Sequence, residues 1–210
     1  MYEYEIGDSG VAITGYSGSE SEITIPSHIE GFPVTSIGFS AFRGSELTNV
    51  IIPDGVTSIK QQAFFANHII NITIPDSVTH IGLEAFGCNQ LKSATIGSGV
   101  TYIGQFAFAD NFLTNLTISN SASIDIGIWD NAFENNLLTH ICIPENVTFI
   151  GWNTFRNNPL ANVIIGDIKI PLDLEETKWI EYYKEQLEEK RISELTAAIG
   201  AAIGHWELLD

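Results

Sequence analysis

Histidine, serine and carboxylate side chains are the residues of this sequence that could do chemistry, but their spacing matches no reactive arrangement. The five histidines include no pair at the helical spacing that holds a metal ion: His28, His68, His80, His140 and His205. No Gly-x-Ser-x-Gly segment marks a nucleophilic serine, and no cluster of glycines resembles a phosphate-binding loop. We therefore predict a protein that is not an enzyme and has no catalytic residue, cofactor or metal site.

Acidic residues dominate the charge of the chain. Its 210 residues include 26 Asp and Glu against 9 Lys and Arg, which gives a formal net charge of −17. Nucleic acids and anionic membrane surfaces are bound by clustered basic side chains, so we expect neither as a partner. Hydrophobic residues make up 44% of the chain and supply a core. No apolar run approaches the roughly 18 residues of a membrane-spanning helix, so no membrane insertion is predicted.

Ile-Pro pairs and their equivalents recur along the chain and reveal an internal repeat. Four pairs contain proline, namely Ile25-Pro26, Ile52-Pro53, Ile74-Pro75 and Ile143-Pro144, and three equivalents are Ile96-Gly97, Ile118-Ser119 and Ile165-Gly166. Most successive pairs are 22 residues apart. A unit of that length cannot bury its own apolar side chains, whereas stacked units form one continuous core.

Each unit also contains an Ile-Gly pair, an Ala-Phe pair, an asparagine and a leucine or isoleucine. The Ile-Gly pairs are assigned to Ile37-Gly38, Ile81-Gly82, Ile103-Gly104, Ile126-Gly127 and Ile150-Gly151, with Ile59-Lys60 as the exception. The asparagines are Asn67, Asn89, Asn111, Asn136 and Asn158. A stacked asparagine amide can pair with the backbone groups of its own turn and the adjacent turn, so these residues are interpreted as structural. We expect one short parallel strand per unit, returned by a turn, a 3₁₀ turn or a short helix.

The repeat resembles the BspA-like family of bacterial leucine-rich repeats. The segment from Ile72-Thr73-Ile74-Pro75 to Leu91 shows the pattern in full, and the resemblance covers roughly residues 16 to 166. It implies an α/β solenoid, a right-handed array of short parallel strands. It also implies a protein of the bacterial surface or of secretion, associated with adhesion. The expected domains are 1–166, the solenoid with its N-terminal leading segment, and 167–210, a helical cap or association segment.

Alternation along each strand predicts which side chains a partner would meet. Inward residues such as Val50 and Ile52 are assigned to the core, and their neighbours point outward on a concave face. The tentative partner-binding residues on that face are Asn49, Asn71, Thr73, Ser93, Thr95, Asn115, Thr117 and His140. Small polar side chains of this kind either decorate a solvated sheet or form a shallow recognition surface for a protein or a glycan. Aromatic residues near the return turns, at Phe39, Phe106, Trp129 and Trp152, are a further possibility.

The composition changes after Gly166, where the repeat ends. Asp173 as N-cap and Glu176 three residues later predict a helix over roughly 174–191, and a second helical stretch is predicted from Ser193 to Ile203. These helices either cap the last unit or pair with another copy of the chain, giving a homo-oligomer through residues 174–210. Cys88 and Cys142 are predicted to be two units apart and therefore free thiols.

Two functions remain open from the sequence. The favoured hypothesis is a non-enzymatic protein-interaction module that acts in adhesion or partner recognition through the solenoid surface. The alternative is a rigid structural spacer whose C-terminal helices mediate self-association. The sequence leaves the localisation open: cell surface or secreted if the chain belongs to a longer exported protein, and cytoplasmic if it is complete.

Overall fold

The computed structural model describes residues 1–119 and 125–206, with side chains described through residue 193. The chain forms a parallel β-solenoid of about seven turns, followed by a single C-terminal helix. The strands of the first half are β1 Tyr2–Gly7, β2 Gly10–Tyr16, β3 Glu22–Thr24, β4 His28–Ile29, β5 Phe32–Ile37, β6 Asn49–Ile51, β7 Ser58–Ile59, β8 Asn71–Ile74 and β9 His80–Ile81. Those of the second half are β10 Ser93–Ile96, β11 Tyr102–Ile103, β12 Asn115–Ile118, β13 Ile126–Ile128, β14 His140–Ile143, β15 Val147–Ile150, β16 Asn162–Ile165 and β17 Ile168–Lys169.

Each repeat contributes two strands, where the sequence predicted one. One row of strands continues from β5 through β7, β9, β11, β13 and β15, and it extends to β2 and β1 at its N-terminal edge. The other row comprises the predicted strands and is divided into β3–β6, β8–β10–β12 and β14–β16–β17. Three strands of the first row, β7, β9 and β11, are only two residues long, which is why local sequence pattern did not reveal this row.

A stack of phenylalanine rings fills the core between the two rows. The fully buried rings are Phe42, Phe64, Phe86, Phe108, Phe133 and Phe155. Successive ring centroids lie 5.0 to 5.5 Å apart with interplanar angles of 4° to 10°. Each ring therefore covers the faces of its neighbours, and the stack has two open ends that other residues must cover.

The asparagine column makes the hydrogen bonds that the sequence predicted. Asn67 accepts a hydrogen bond from the Leu47 backbone N–H at 3.0 Å through Oδ1. Its Nδ2 donates to the Phe42 carbonyl at 2.7 Å and to the Phe64 carbonyl at 3.0 Å. Asn89, Asn111, Asn136 and Asn158 repeat this set of contacts. Each amide thus joins two consecutive turns through otherwise unpaired backbone groups.

The return from the first row to the second is a turn, and each turn contains two residues in the left-handed region. The first is Ser40, Gln62, Glu84, Phe106, Asn131 or Asn153, and the second is Gly44, Ala66, Cys88, Asp110, Asn135 or Asn157. Their φ values lie between 53° and 62°. Backbone N–H groups of one turn donate to carbonyls of the next, as Ala66 does to Gly87 at 3.0 Å. This ladder holds non-glycine residues in a conformation that they rarely adopt alone.

The assignment of Ile126-Gly127 to the Ile-Gly column is wrong by two residues. Ile128 pairs with Ile103 on one side and Ile150 on the other, so Ile128-Trp129 takes that place and Gly127 pairs with Tyr102. The sequence Ile-Gly-Ile offered two alignments, and only one brings Ala132 and Phe133 into their columns. The next turn requires glycine at this position, because a Cβ on Gly151 would lie 2.5 Å from the Asp130 backbone nitrogen.

The C-terminal segment differs from the sequence prediction in three ways. A 3₁₀ turn covers Glu176–Lys178, and one helix, α1 Trp179–Trp206, replaces the two predicted helices. Asp173 is not an N-cap, since Glu175 takes that position without a side-chain hydrogen bond. The Glu176 carboxylate does not close a capping box either, because it accepts the Phe155 backbone N–H at 3.1 Å through each oxygen.

Candidate interaction surfaces

The tentative binding residues lie side by side on the second row of strands, and we call their exposed side the polar strand face. In register across β8, β10 and β12 stand Asn71, Ser93 and Asn115, and beside them Thr73, Thr95 and Thr117. Asn49 on β6 and His140 on β14 continue the first column. All eight side chains are exposed except that of Ser93, which is half-buried. The sequence therefore placed these residues correctly on one face, and partner binding there remains a prediction.

Two interruptions divide the polar strand face into three parts. Strand pairing is broken between β6 and β8 and again between β12 and β14. A cavity of about 310 Å³ opens at the first interruption, and Asn49, Ile51, Asn71 and Thr73 contribute to its lining. Beyond it, Ser93 Oγ donates a hydrogen bond to Asn71 Oδ1 at 2.6 Å. The face thus offers amide and hydroxyl groups over a surface that is stepped rather than continuous.

A groove of about 750 Å³ ends the polar strand face at helix α1. Cys142 and Glu145 line its strand side, while Tyr183 and Lys190 line its helix side. Lys190 Nζ donates to the Asp167 carboxylate at 2.6 Å, and this bond lowers the pKa of Asp167 below its ordinary value. Burial, followed by the nearby charges of Glu145 and Asp167, raises the pKa of the Tyr183 phenol.

Half-buried and exposed aromatic side chains form a stripe on the first row of strands, and the sequence analysis singled out only Trp129 among them. The stripe consists of His80, Tyr102, Trp129 and Phe149, on β9, β11, after β13, and on β15. The ring centroids of successive members are 4.3, 5.5 and 5.1 Å apart. A signal was present, since aromatic residues occur two positions before the column glycines Gly82, Gly104 and Gly151. The wrong alignment at Gly127 concealed it.

Residues 1–119 and 125–206 contain neither a metal-ligand cluster nor a membrane-spanning helix. No three His, Cys, Asp or Glu side chains of this part of the chain come together in a way that could hold a metal ion. None of its helices is long and apolar enough to cross a membrane. Cys88 and Cys142 are both free, as the sequence predicted.

The comparison with family models identifies the repeat. The model of the BspA type leucine rich repeat region matches in six copies over residues 16–127 and 122–171. No curated protein matches the chain.

Solved structures of bacterial leucine-rich-repeat proteins are similar in fold. A leucine rich cell surface protein from Faecalibacterium prausnitzii is 29% identical with a TM-score of 0.57, over 79% of this chain and 53% of that one. The pneumococcal vaccine antigen PcpA is 20% identical with a TM-score of 0.59, over 78% of this chain and 47% of that one. The chain thus spans about half the length of these two proteins. From the six matched repeats and the stacked architecture, the chain belongs to the BspA-type leucine-rich-repeat family.

Proposed function

We propose that this chain is a non-enzymatic recognition module that binds a protein or glycan partner in adhesion, through the polar strand face. Membership of the leucine-rich-repeat family supports an interaction or surface role in general. The observation that supports this face in particular is its composition: eight amide, hydroxyl and imidazole side chains, seven of them exposed, line it although the core does not need them.

Shallow polar surfaces bind through many modest hydrogen bonds rather than through one anchor. The side chains of Asn71, Asn115 and His140 are exposed and contribute nothing to the phenylalanine core. Replacing all three with alanine should therefore leave the free energy of unfolding within about 1 kcal/mol of wild type. The matched control replaces Asn89, a buried asparagine of the structural column, and should destabilise the fold strongly.

The test of this proposal is binding to surface proteins and glycans of candidate host cells. The triple variant Asn71→Ala, Asn115→Ala, His140→Ala should lose binding that the wild type shows, at unchanged thermal stability. Unchanged binding by the triple variant would overturn the assignment of this face.

We further propose that the chain divides into a solenoid over 1–166 and a cap over 167–210. Trp179 stacks on Phe155 at a centroid distance of 5.8 Å and an angle of 16°, continuing the ring stack beyond the last repeat. Glu176 accepts the backbone N–H that earlier repeats donate to a carbonyl of the following turn. Both contacts are those that a terminal cap must make.

The alternative function, a rigid spacer that self-associates, has support from exposed apolar side chains on α1. Leu187 and Ile192 are 42% and 56% exposed, on the part of the helix beyond Tyr183. A second copy of the chain could cover them. The predicted association segment extends to residue 210, and its side chains from residue 194 lie outside the described residues.

A further inference from the structure

The aromatic stripe is not required by the fold. At the positions of His80, Tyr102 and Phe149 in earlier repeats stand Ser36 and Ser58, which pair with each other at 3.2 Å. The solenoid therefore forms equally well with a small polar residue in this column. The aromatic residues begin only at His80 and continue to Phe149, so their presence there calls for another explanation than packing.

A local exchange of residues keeps the stripe continuous. Tyr102-Ile103-Gly104 and Phe149-Ile150-Gly151 have the aromatic residue first and glycine last, but the intervening repeat reads Gly127-Ile128-Trp129. The Trp129 indole folds back over Gly127, where a Cβ would lie 3.5 Å from Trp129 Nε1. It thereby occupies the gap between Tyr102 and Phe149, and no ring is missing from the row.

The rings nearest the C-terminus are open to solvent. Trp129 is 38% exposed, Phe149 43% and Trp152, which lines the same cavity as Phe149, 62%. His80 and Tyr102 are parallel within 7°, so each hides a face of the other. The Trp129 plane is tilted by 40° from Tyr102 and by 51° from Phe149, so these rings cannot cover each other's faces completely.

The charges around the stripe favour a cation at its C-terminal end. Asp130 follows Trp129, is half-buried, and accepts the Trp152 backbone N–H at 2.8 Å through Oδ1 and the Gln105 amide at 3.4 Å through Oδ2, which holds a carboxylate beside the two tryptophan residues. At the opposite end of the stripe, burial and then the charge of Lys60 lower the pKa of His80. At the C-terminal end, Glu181 and Lys184 line the cavity of Phe149 and Trp152 with opposite charges, so the Asp130 carboxylate adds negative charge beside the rings. A guanidinium can stack on an indole while pairing with a carboxylate, and it does so better than an ammonium. Arg43 shows the stacking part of this contact within the solenoid, since its Cζ lies 4.8 Å from the centroid of the Phe65 ring.

We propose that Trp129, Phe149, Trp152 and Asp130 form a docking site for an arginine-bearing segment of a basic protein. The net charge of −17 would attract such a partner, and the aromatic faces would select its arginine side chains. This site goes beyond the polar strand face, since it lies on the other row of strands and does not depend on that proposal.

The experiment compares the binding of nona-arginine and nona-lysine peptides by calorimetry at physiological salt. Charge attraction alone acts equally on both peptides, whereas stacking on the rings should make nona-arginine bind about five-fold more tightly. The variant Tyr102→Ser, Phe149→Ser, Trp152→Gln uses residues that the same columns contain at Ser36, Ser58, Gln61 and Gln105. It should lose the arginine preference and keep its affinity for nona-lysine.

The control is Phe39→Gln, because Phe39 occupies the column of Trp152, is 63% exposed and lies five turns of the solenoid before Trp152. This variant should keep the full arginine preference. Equal affinities of the two peptides for wild type would overturn the proposal, as would an arginine preference that survives the triple variant. Neutral oligosaccharides that bind only wild type, without an arginine preference, would assign the stripe to a glycan instead. Should circular dichroism show the triple variant unfolded, the single variant Trp152→Gln takes its place.

Discussion

Each end of the phenylalanine stack has an open ring face that other residues must cover, and different elements cover the two ends. At the N-terminal end, the hairpin of β1 and β2 continues the strand pairing, and Tyr2 and Tyr16 cover Phe42 at centroid distances of 6.2 and 5.4 Å. At the C-terminal end, the single ring of Trp179 covers Phe155. The N-terminal end is thus closed by backbone pairing with two half-buried rings, and the C-terminal end by side chains.

The difference shows where the fold depends on individual residues. Within the solenoid, the N–H groups of Phe42, Phe64, Phe86, Phe108 and Phe133 each donate to a carbonyl of the following turn at 2.8 Å. Phe155 has no following turn, and a carboxylate takes the place of the carbonyl. Backbone pairing tolerates substitution, whereas a side chain that replaces a backbone group does not. We therefore expect single changes to cost more at the C-terminal end.

Replacing Trp179 should have the largest effect. Trp179→Ala uncovers Phe155 and removes a ring that is 3% exposed, so we expect the free energy of unfolding to fall by about 3–5 kcal/mol. Tyr16→Ala at the other end should cost about half as much, because Tyr2 still covers Phe42. Urea unfolding of both variants measures the difference. Equal losses would show that the two ends are equivalent.

Replacing an asparagine of the column should reduce stability more in an interior turn than in the last turn. Asn111→Ala leaves the Leu91 N–H without a partner and removes one of the two asparagine donors from each of the Phe86 and Phe108 carbonyls, and should cost about 3 kcal/mol. Asn158 makes the same contacts but is half-buried, so water can replace it and Asn158→Ala should cost about 1 kcal/mol. Thermal unfolding provides the comparison, and a larger loss at Asn158 would contradict it.

The left-handed turn residues offer a stabilising change. Ala66 is exposed and has φ 56°, so Ala66→Gly should relieve strain and raise the free energy of unfolding by about 1 kcal/mol. Ala161 is exposed and does not have a positive φ, so Ala161→Gly should destabilise by a similar amount. Loss of stability in Ala66→Gly would show that the turn is not strained.

Glu176 should give the smallest effect, visible as a dependence on pH. Burial raises the pKa of this carboxyl above its ordinary value of 4.5, although the Phe155 and Thr154 N–H groups oppose the shift. A raised folded-state pKa stabilises the fold below the unfolded pKa, and that contribution is lost as the pH rises through the folded value. The stability of wild type relative to Glu176→Gln should therefore decrease as the pH rises from 4.5. The difference between the two proteins removes the effect of the other acidic groups, and a difference that increases with pH would refute this assignment.

The core and the polar strand face could be predicted from the sequence because each residue recurs at a fixed position. The recurrence of phenylalanine and asparagine at the positions of Phe64 and Asn67 is enough to predict that both are buried. The alternation along β8 predicts that Asn71 and Thr73 point outward. The repeat thus predicts the features that identical residues form by stacking in successive turns.

Features that depend on an exchange between columns could not be predicted in this way. Trp129 takes a glycine position and fills the space above Gly127, which only the three-dimensional packing reveals. Glu176 has the spacing of a capping box but bonds to Phe155, because the last turn lacks a carbonyl partner. The left-handed conformation of Ala66 has no local signal, since the neighbouring turns impose it through hydrogen bonds.

Molar mass in solution tests most directly whether the C-terminal segment completes the solenoid and leaves its surfaces free for partners. Light scattering should be applied to the full chain, to residues 1–193 and to residues 1–171. We predict monomers for the first two, because both retain Glu176, Trp179 and Tyr183, and aggregation for the third, because Phe155 is uncovered. A dimeric full chain together with a well-behaved monomer of residues 1–171 would contradict the account and favour the self-associating spacer.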